Sequence, residues 1–72
     1  MKINITDCSW SKLVNIAEKC GFQTKEGGKH TKVKTSKGKF ITTIPRRNKL
    51  NKHTVKGIIK AFQKFNCKIE LE

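Results

Sequence analysis

Two stripes of apolar residues, each at the spacing of a single helix face, bracket a middle stretch in which that spacing is missing. The first is Trp10, Leu13, Val14, Ala17 and Cys20, and the second is Val55, Ile58, Ile59, Phe62 and Phe65. Recurrence at three and four residues puts every member on one side of an α-helix, so each stripe has a face to bury. The first predicts a helix over residues 9–20. Thr6, Asp7 and Ser9 carry side-chain oxygens for the free N–H groups of its first turn, and Gly21 stands where helices readily end in the left-handed conformation. The second helix starts near Asn51 or Thr54, either of which can cap it. Gly57 inside it costs about 1 kcal/mol relative to alanine.

Between the stripes come short segments broken by turn residues. Phe22–Glu26 runs to Gly27-Gly28, Lys29–Thr35 to Ser36-Lys37-Gly38, and Phe40–Ile44 to Pro45. Their β-branched and aromatic residues suit half-buried strands, and a proline has no N–H to give to a sheet ladder. Two glycine-bearing turns joining three strands make an antiparallel meander. The expected fold is α+β, in the order helix–strand–strand–strand–helix. A three-stranded antiparallel sheet carries both helices on one face and leaves the other wet. Residues 1–72 read as one domain with its core in residues 9–66. Cys67, Ile69 and Leu71 alternate with charged residues, so residues 67–72 read either as a short final strand or as an ordered tail.

The chain has 72 residues and a formal net charge of +12. Ten lysines and two arginines against one acid, Glu26, put +11 of it in residues 25–60, between nearly neutral flanks. An apolar content of only 35% can accompany disorder, but two full helix stripes argue for a folded domain. A chain of this length buries only about 60% of its unfolded surface, which excludes a large substrate-engulfing enzyme. No more than two apolar residues stand in a row. That leaves neither a membrane-spanning helix nor a signal-peptide core, so no membrane partner is expected and the cytoplasm is the expected compartment. A concentrated positive face seeks a polyanion, and inside cells nucleic acid is the commonest.

The chemistry open to such a face is limited. Cys8, Cys20 and Cys67 include no C-x-x-C pair and leave one over in any disulfide scheme. They read as reduced thiols filling small core positions. Cys and His do not cluster at zinc-ligand spacing, and Gly27-Gly28-Lys29-His30 lacks the spacing of a Walker phosphate loop. Four of the five acids lie outside the basic middle, so no carboxylate set for Mg²⁺ assembles there, and neither metal nor cofactor is expected.

Histidine remains. Alternation in Lys29–Thr35 sends His30, Lys32 and Lys34 to one face and Thr31, Val33 and Thr35 to the core face. His30 is thus expected to be exposed among lysines, just past a turn at Gly27-Gly28. An imidazole there can take the proton of an RNA 2′-hydroxyl while lysines stabilise the phosphorane, a cleavage that ends in a 2′,3′-cyclic phosphate and needs no metal. A solvated histidine on a basic strand is the plainer alternative. His53, beside Lys52, reads as a surface residue at a helix start or as a second acid–base partner. Lys52, Lys56, Lys60 and Lys64 step along the second helix. The loop Arg46-Arg47-Asn48-Lys49 leads into them as a phosphate-gripping ledge.

Four motifs occur in a telling order: Cys20-Gly21-Phe22, Gly28-Lys29-His30, Thr43-Ile44-Pro45, and the stretch from Leu50 through Asn51-Lys52-His53-Thr54 to Lys60. Over roughly residues 9–63 the chain resembles the HicA-type mRNA interferase toxins. The resemblance implies a double-stranded-RNA-binding-like fold, endoribonuclease activity on mRNA, which the scarcity of acids makes metal-independent, and silencing by a HicB-type antitoxin. It also implies that His30 is the catalytic histidine of a glycine-x-histidine motif, with Gly28 allowing the turn that presents it. Lys29, Lys32, Lys34, Arg46, Arg47 and Lys52 are then the candidate RNA contacts. The fold analogy favours the first hairpin loop and the second-helix start over the open sheet face. The chain departs from the family pattern at Lys29, where serine is common, at Asn51, where proline is, and at His53, where glycine is. A non-catalytic RNA-binding module of the same fold, or a protein that meets an acidic partner, would carry the same charge.

Overall fold

The computed structural model describes residues 2–4 and 8–71. Its elements are β1 (Lys2–Ile3), α1 (Trp10–Lys19), β2 (Gln23–Gly27), β3 (His30–Lys34), β4 (Phe40–Pro45), α2 (Lys52–Lys64) and β5 (Glu70–Leu71). From α1 to α2 this is the expected helix–strand–strand–strand–helix order. β2, β3 and β4 form an antiparallel sheet in sequence order.

Capping residues set the helix boundaries. Ser9 Oγ accepts from the Lys12 N–H at 3.4 Å and opens α1. Thr6 and Asp7, also expected to cap, lie outside the described residues. Asn51 rather than Thr54 caps α2, its side-chain oxygen accepting from the His53 N–H at 2.8 Å. Both helices close by the same device. Gly21 at φ +82° lets the Phe22 N–H reach back to the Ala17 carbonyl, and Asn66 at φ +69° lets the Cys67 N–H reach the Phe62 carbonyl. Each is a left-handed residue followed by a six-to-one hydrogen bond, the Schellman stop.

The sheet buries side chains on one face only, through Thr31, Val33, Ile41 and Ile44. Leu13, Ile16 and Ala17 of α1 and Val55, Ile58, Ile59 and Phe62 of α2 close over them. Both helices therefore share that face, as their single stripes require. In α1 the buried line runs through Ile16, and Trp10, Val14 and Cys20 lie at its partly buried margin.

Beyond α2 the chain forms a strand rather than a tail. β5 pairs in parallel with β1, Ile3 opposite Leu71, and this brings Ile3 and Ile69 into the core. Two-residue strands have no period to read, so β1 left no trace in the sequence pattern.

The cysteines correct the expectation of three reduced thiols. Cys20 and Cys67 form a disulfide with Cα atoms 5.5 Å apart, and only Cys8 remains a small buried thiol. The cause is geometric: the two Schellman stops converge, and each carries a cysteine. The Phe22 and Phe62 rings also meet there, centroids 5.5 Å apart.

Gly57 lies on the exposed side of α2, and a Cβ added there meets nothing within 4 Å. Gly57→Ala is expected to stabilise the protein by about 1 kcal/mol, since the helix gains an alanine and loses no contact. In a thermal melt this corresponds to a rise of roughly 4–8 °C for a domain of this size.

Candidate functional site

The site is built where three chain segments meet at one end of the sheet. The first is the β2–β3 hairpin. Gly27 and His30 pair across it, which leaves Gly28 and Lys29 as the two turn residues. Gly28 has φ +63° and Lys29 is not left-handed. A glycine first and an ordinary residue second is the pattern of a type II′ hairpin turn, whose twist matches that of the strands. The turn is thus Gly28-Lys29 rather than the expected Gly27-Gly28, and Gly27 serves as the last residue of β2. The tight loop fixes the register that sends His30 outward and Thr31 inward.

The second segment is the end of β4 and the loop after it. Pro45 pairs with His30 at the sheet edge, and the Arg46 N–H continues the ladder one step to the Lys29 carbonyl at 3.0 Å. Arg46 then turns back, its Nη1 donating to the Gly28 carbonyl at 3.3 Å. The third segment is the start of α1. Trp10 Nε1 donates to Thr31 Oγ1 at 2.6 Å, and the Trp10 backbone N–H donates to the Arg47 carbonyl at 3.0 Å. The Arg46 guanidinium lies 4.8 Å from the centroid of the Trp10 ring. The loop is fixed once more where the N–H of buried Leu50 donates to the Cys8 carbonyl at 3.2 Å.

The hairpin, the loop after β4 and the start of α2 enclose an open cleft of about 710 Å³ lined by Gly28, Lys29, His30, Pro45, Arg46, Arg47, Lys49, Leu50, Asn51 and Thr54. His30 is exposed in it. Lys29, Arg46, Arg47 and Lys49 give it four positive charges, and among the described residues no carboxylate lines it. Such a lining attracts a phosphodiester and offers it N–H donors from several directions. Among the described residues, no group of three His, Cys, Asp or Glu side chains comes together to hold an ion.

The cleft gathers some of the candidate residues and separates others. His30, Lys29, Gly28, Arg46 and Arg47 meet in it. Lys32 and Lys34 follow His30 outward along β3, on the open face of the sheet. Lys52 and His53 line an adjoining hollow with Lys49, Leu50 and Asn51 at the start of α2. His53 is therefore not across the cleft from His30. Arg46 has two roles, since part of its guanidinium is engaged with Gly28 and Trp10 while its residue still lines the cleft. Lys49 of the expected phosphate-gripping loop also lines the cleft, and so do Asn51 and Thr54, which the sequence pattern offers only as helix caps. Asn51 and Thr54 are three apart at a helix start, so they share a face once the cap is known.

The fold and cleft define a small α+β domain that presents one histidine from a hairpin turn into a basic opening. A family model described as HicA toxin of bacterial toxin–antitoxin matches residues 10–64, which run from the first residue of α1 to the last of α2. The chain belongs to the HicA toxin family, and as a toxin of this kind it implies an antitoxin partner. The match leaves out β1, β5 and Cys67. No curated protein and no solved structure matches the chain. No helix of the described residues is long and apolar enough to cross a membrane.

Trp10→Phe removes the indole N–H and leaves the Thr31 hydroxyl buried without that partner. The expected cost is about 1–2 kcal/mol in urea unfolding. Trp10→Phe with Thr31→Val should lose less than the two single changes together, because no buried polar group is then stranded.

Proposed function

We propose that this toxin is a metal-independent endoribonuclease that cleaves mRNA in the cytoplasm, with His30 as its catalytic residue and a HicB-type antitoxin as its silencer. The observation that carries the reading is the placement of an exposed imidazole in a cleft with four cationic side chains and, among the described residues, no carboxylate. A site of that composition can hold a phosphodiester but provides no ligand set for a divalent ion. RNA supplies its own nucleophile, the 2′-hydroxyl beside the scissile phosphate.

In this mechanism the neutral His30 ring takes the 2′-hydroxyl proton as O2′ attacks phosphorus. The P–O5′ bond breaks, and the leaving oxygen takes a proton from the imidazolium so formed or from water. The products are a 2′,3′-cyclic phosphate and a 5′-hydroxyl. Lys29, Arg46 and Arg47 stabilise the charge that builds on the non-bridging oxygens. Lys32, Lys34 and Lys52 hold flanking phosphates, and Gly28 permits the turn that presents the histidine. DNA lacks the nucleophile and is not a substrate.

Incubating RNA with wild type and with His30→Ala in EDTA tests this reading. Wild type is expected to cut and to leave cyclic phosphate ends, and the variant to be slower by about 10²-fold or more. Equal fragments from both proteins, or intact RNA with wild type, would overturn it. In the second case a non-catalytic RNA-binding module of the same fold takes its place.

A further inference from the structure

The open face of the sheet has a composition that the cleft does not explain. Its register places three rows of side chains on the side away from the helices: Gly27–His30–Pro45, then Lys25–Lys32–Thr43, then Gln23–Lys34–Phe40. The intervening rows, Glu26–Thr31–Ile44 and Thr24–Val33–Thr42, belong to the helix side, where Thr31, Val33 and Ile44 are buried. The one acid of the basic middle, Glu26, is thus kept off the open face.

Two features of that face oppose stability. Lys25 and Lys32 stand directly opposite each other on neighbouring strands, where like charges repel. Phe40 is 53% exposed, the most exposed large apolar side chain among the described residues, with no ring or cation over it among them. Its exposure comes from a backbone irregularity. Val33 pairs with Thr42 and Lys34 with Phe40, so β4 has an extra residue, Ile41, at this point. Strict alternation from Ile44 and Thr42 would turn Ile41 outward and Phe40 into the core. The bulge keeps Ile41 buried and sends Phe40 to the face that holds His30, and bulges re-aim side chains in this way beside functional sites.

We infer that this face is a binding track for single-stranded RNA, with a base stacked on Phe40 and the backbone running over Lys34, Lys32 and Lys25 to His30. The inference rests on RNA being the substrate and assigns its form and a second subsite. Charge selects the ligand: the track carries lysines and a histidine, no carboxylate, and opens directly into the cationic cleft. Exposed aromatics beside basic residues on a sheet bind unpaired bases by stacking, which a duplex cannot offer along its length. From His30 to Lys34 the strand spans about 13 Å, so the stacked base lies a few nucleotides from the cleaved linkage. A flat sheet face so placed differs from the loop and helix-start contacts that the fold analogy favours.

The test is binding of a labelled, unstructured RNA strand and of a duplex of equal length, with His30→Ala as the parent so that the RNA stays intact. Phe40→Ala is expected to weaken the single strand about tenfold or more and the duplex little. Lys25→Gln with Lys32→Gln is expected to reduce the salt slope for the single strand by about 1.4. Lys25, Lys32 and Phe40 are all solvent-exposed, and thermal melts no lower than the parent's confirm that the variants are folded. Unaltered single-strand affinity in both variants, or equal losses on the duplex, would overturn the track. So would variants that keep RNA but lose a polyglutamate peptide, which would make the face a protein-docking surface. The two proposals separate cleanly. A wild type that cuts RNA while both variants bind normally removes the track alone. A wild type that never cuts, with the losses seen in the inactive parent's variants, removes only the nuclease.

Discussion

One side chain ties the site to the rest of the molecule. The indole of Trp10 hydrogen-bonds Thr31, the residue after His30, while its ring carries the guanidinium of Arg46. Its own backbone N–H holds the Arg47 carbonyl. Helix α1, strand β3 and the loop into α2 therefore meet at a single residue. The Thr31 hydroxyl is fully buried, so this bond replaces one with water that folding removes. Arg46 in turn binds the Gly28 carbonyl, which closes a circuit from tryptophan to the turn that presents the histidine. A domain of this size has a thin hydrophobic margin, and a few such cross-links matter more in it than in a larger protein.

Charge acts against the fold and toward the ligand. Repulsion among the basic residues of strands β2 and β3 and the loop is a cost that the free protein bears. The Lys25–Lys32 pair concentrates that cost on a surface that hydrophobic burial cannot relieve. A bound polyanion would turn the same repulsion into attraction, and an antitoxin with an acidic surface would do likewise. Among the described residues no carboxylate lines the cleft, and an acid there would relieve the repulsion while weakening the attraction for an anion.

Much of the fold is legible in the residues themselves. The α2 stripe holds all four buried residues of that helix, with Phe65 half-buried at its C-cap, and Gly21 marks the end of α1, because both depend on local geometry. Alternation in β3 predicts the exposed His30 and buried Thr31 for the same reason. Elsewhere local pattern fails for identifiable causes. Gly27-Gly28 looks like a turn, yet register with His30 makes Gly27 a strand residue. Strict alternation back from Ile44 points Phe40 inward, yet a bulge one position on turns it to solvent. Cys20 and Cys67 are 47 residues apart, and only the packing of two helix ends makes them partners.

The sequence by itself determined the class of fold, the basic middle and the outward face of the histidine, since periodicity and charge are properties of neighbouring residues. Only the tertiary structure decided which cations join His30 in one cleft and which continue along the sheet. It alone placed His53 apart from His30, brought Trp10 over Thr31, and turned Phe40 to the histidine's face. Those outcomes depend on strand register, a bulge and helix packing, and each relates residues too distant in the chain for local pattern to connect.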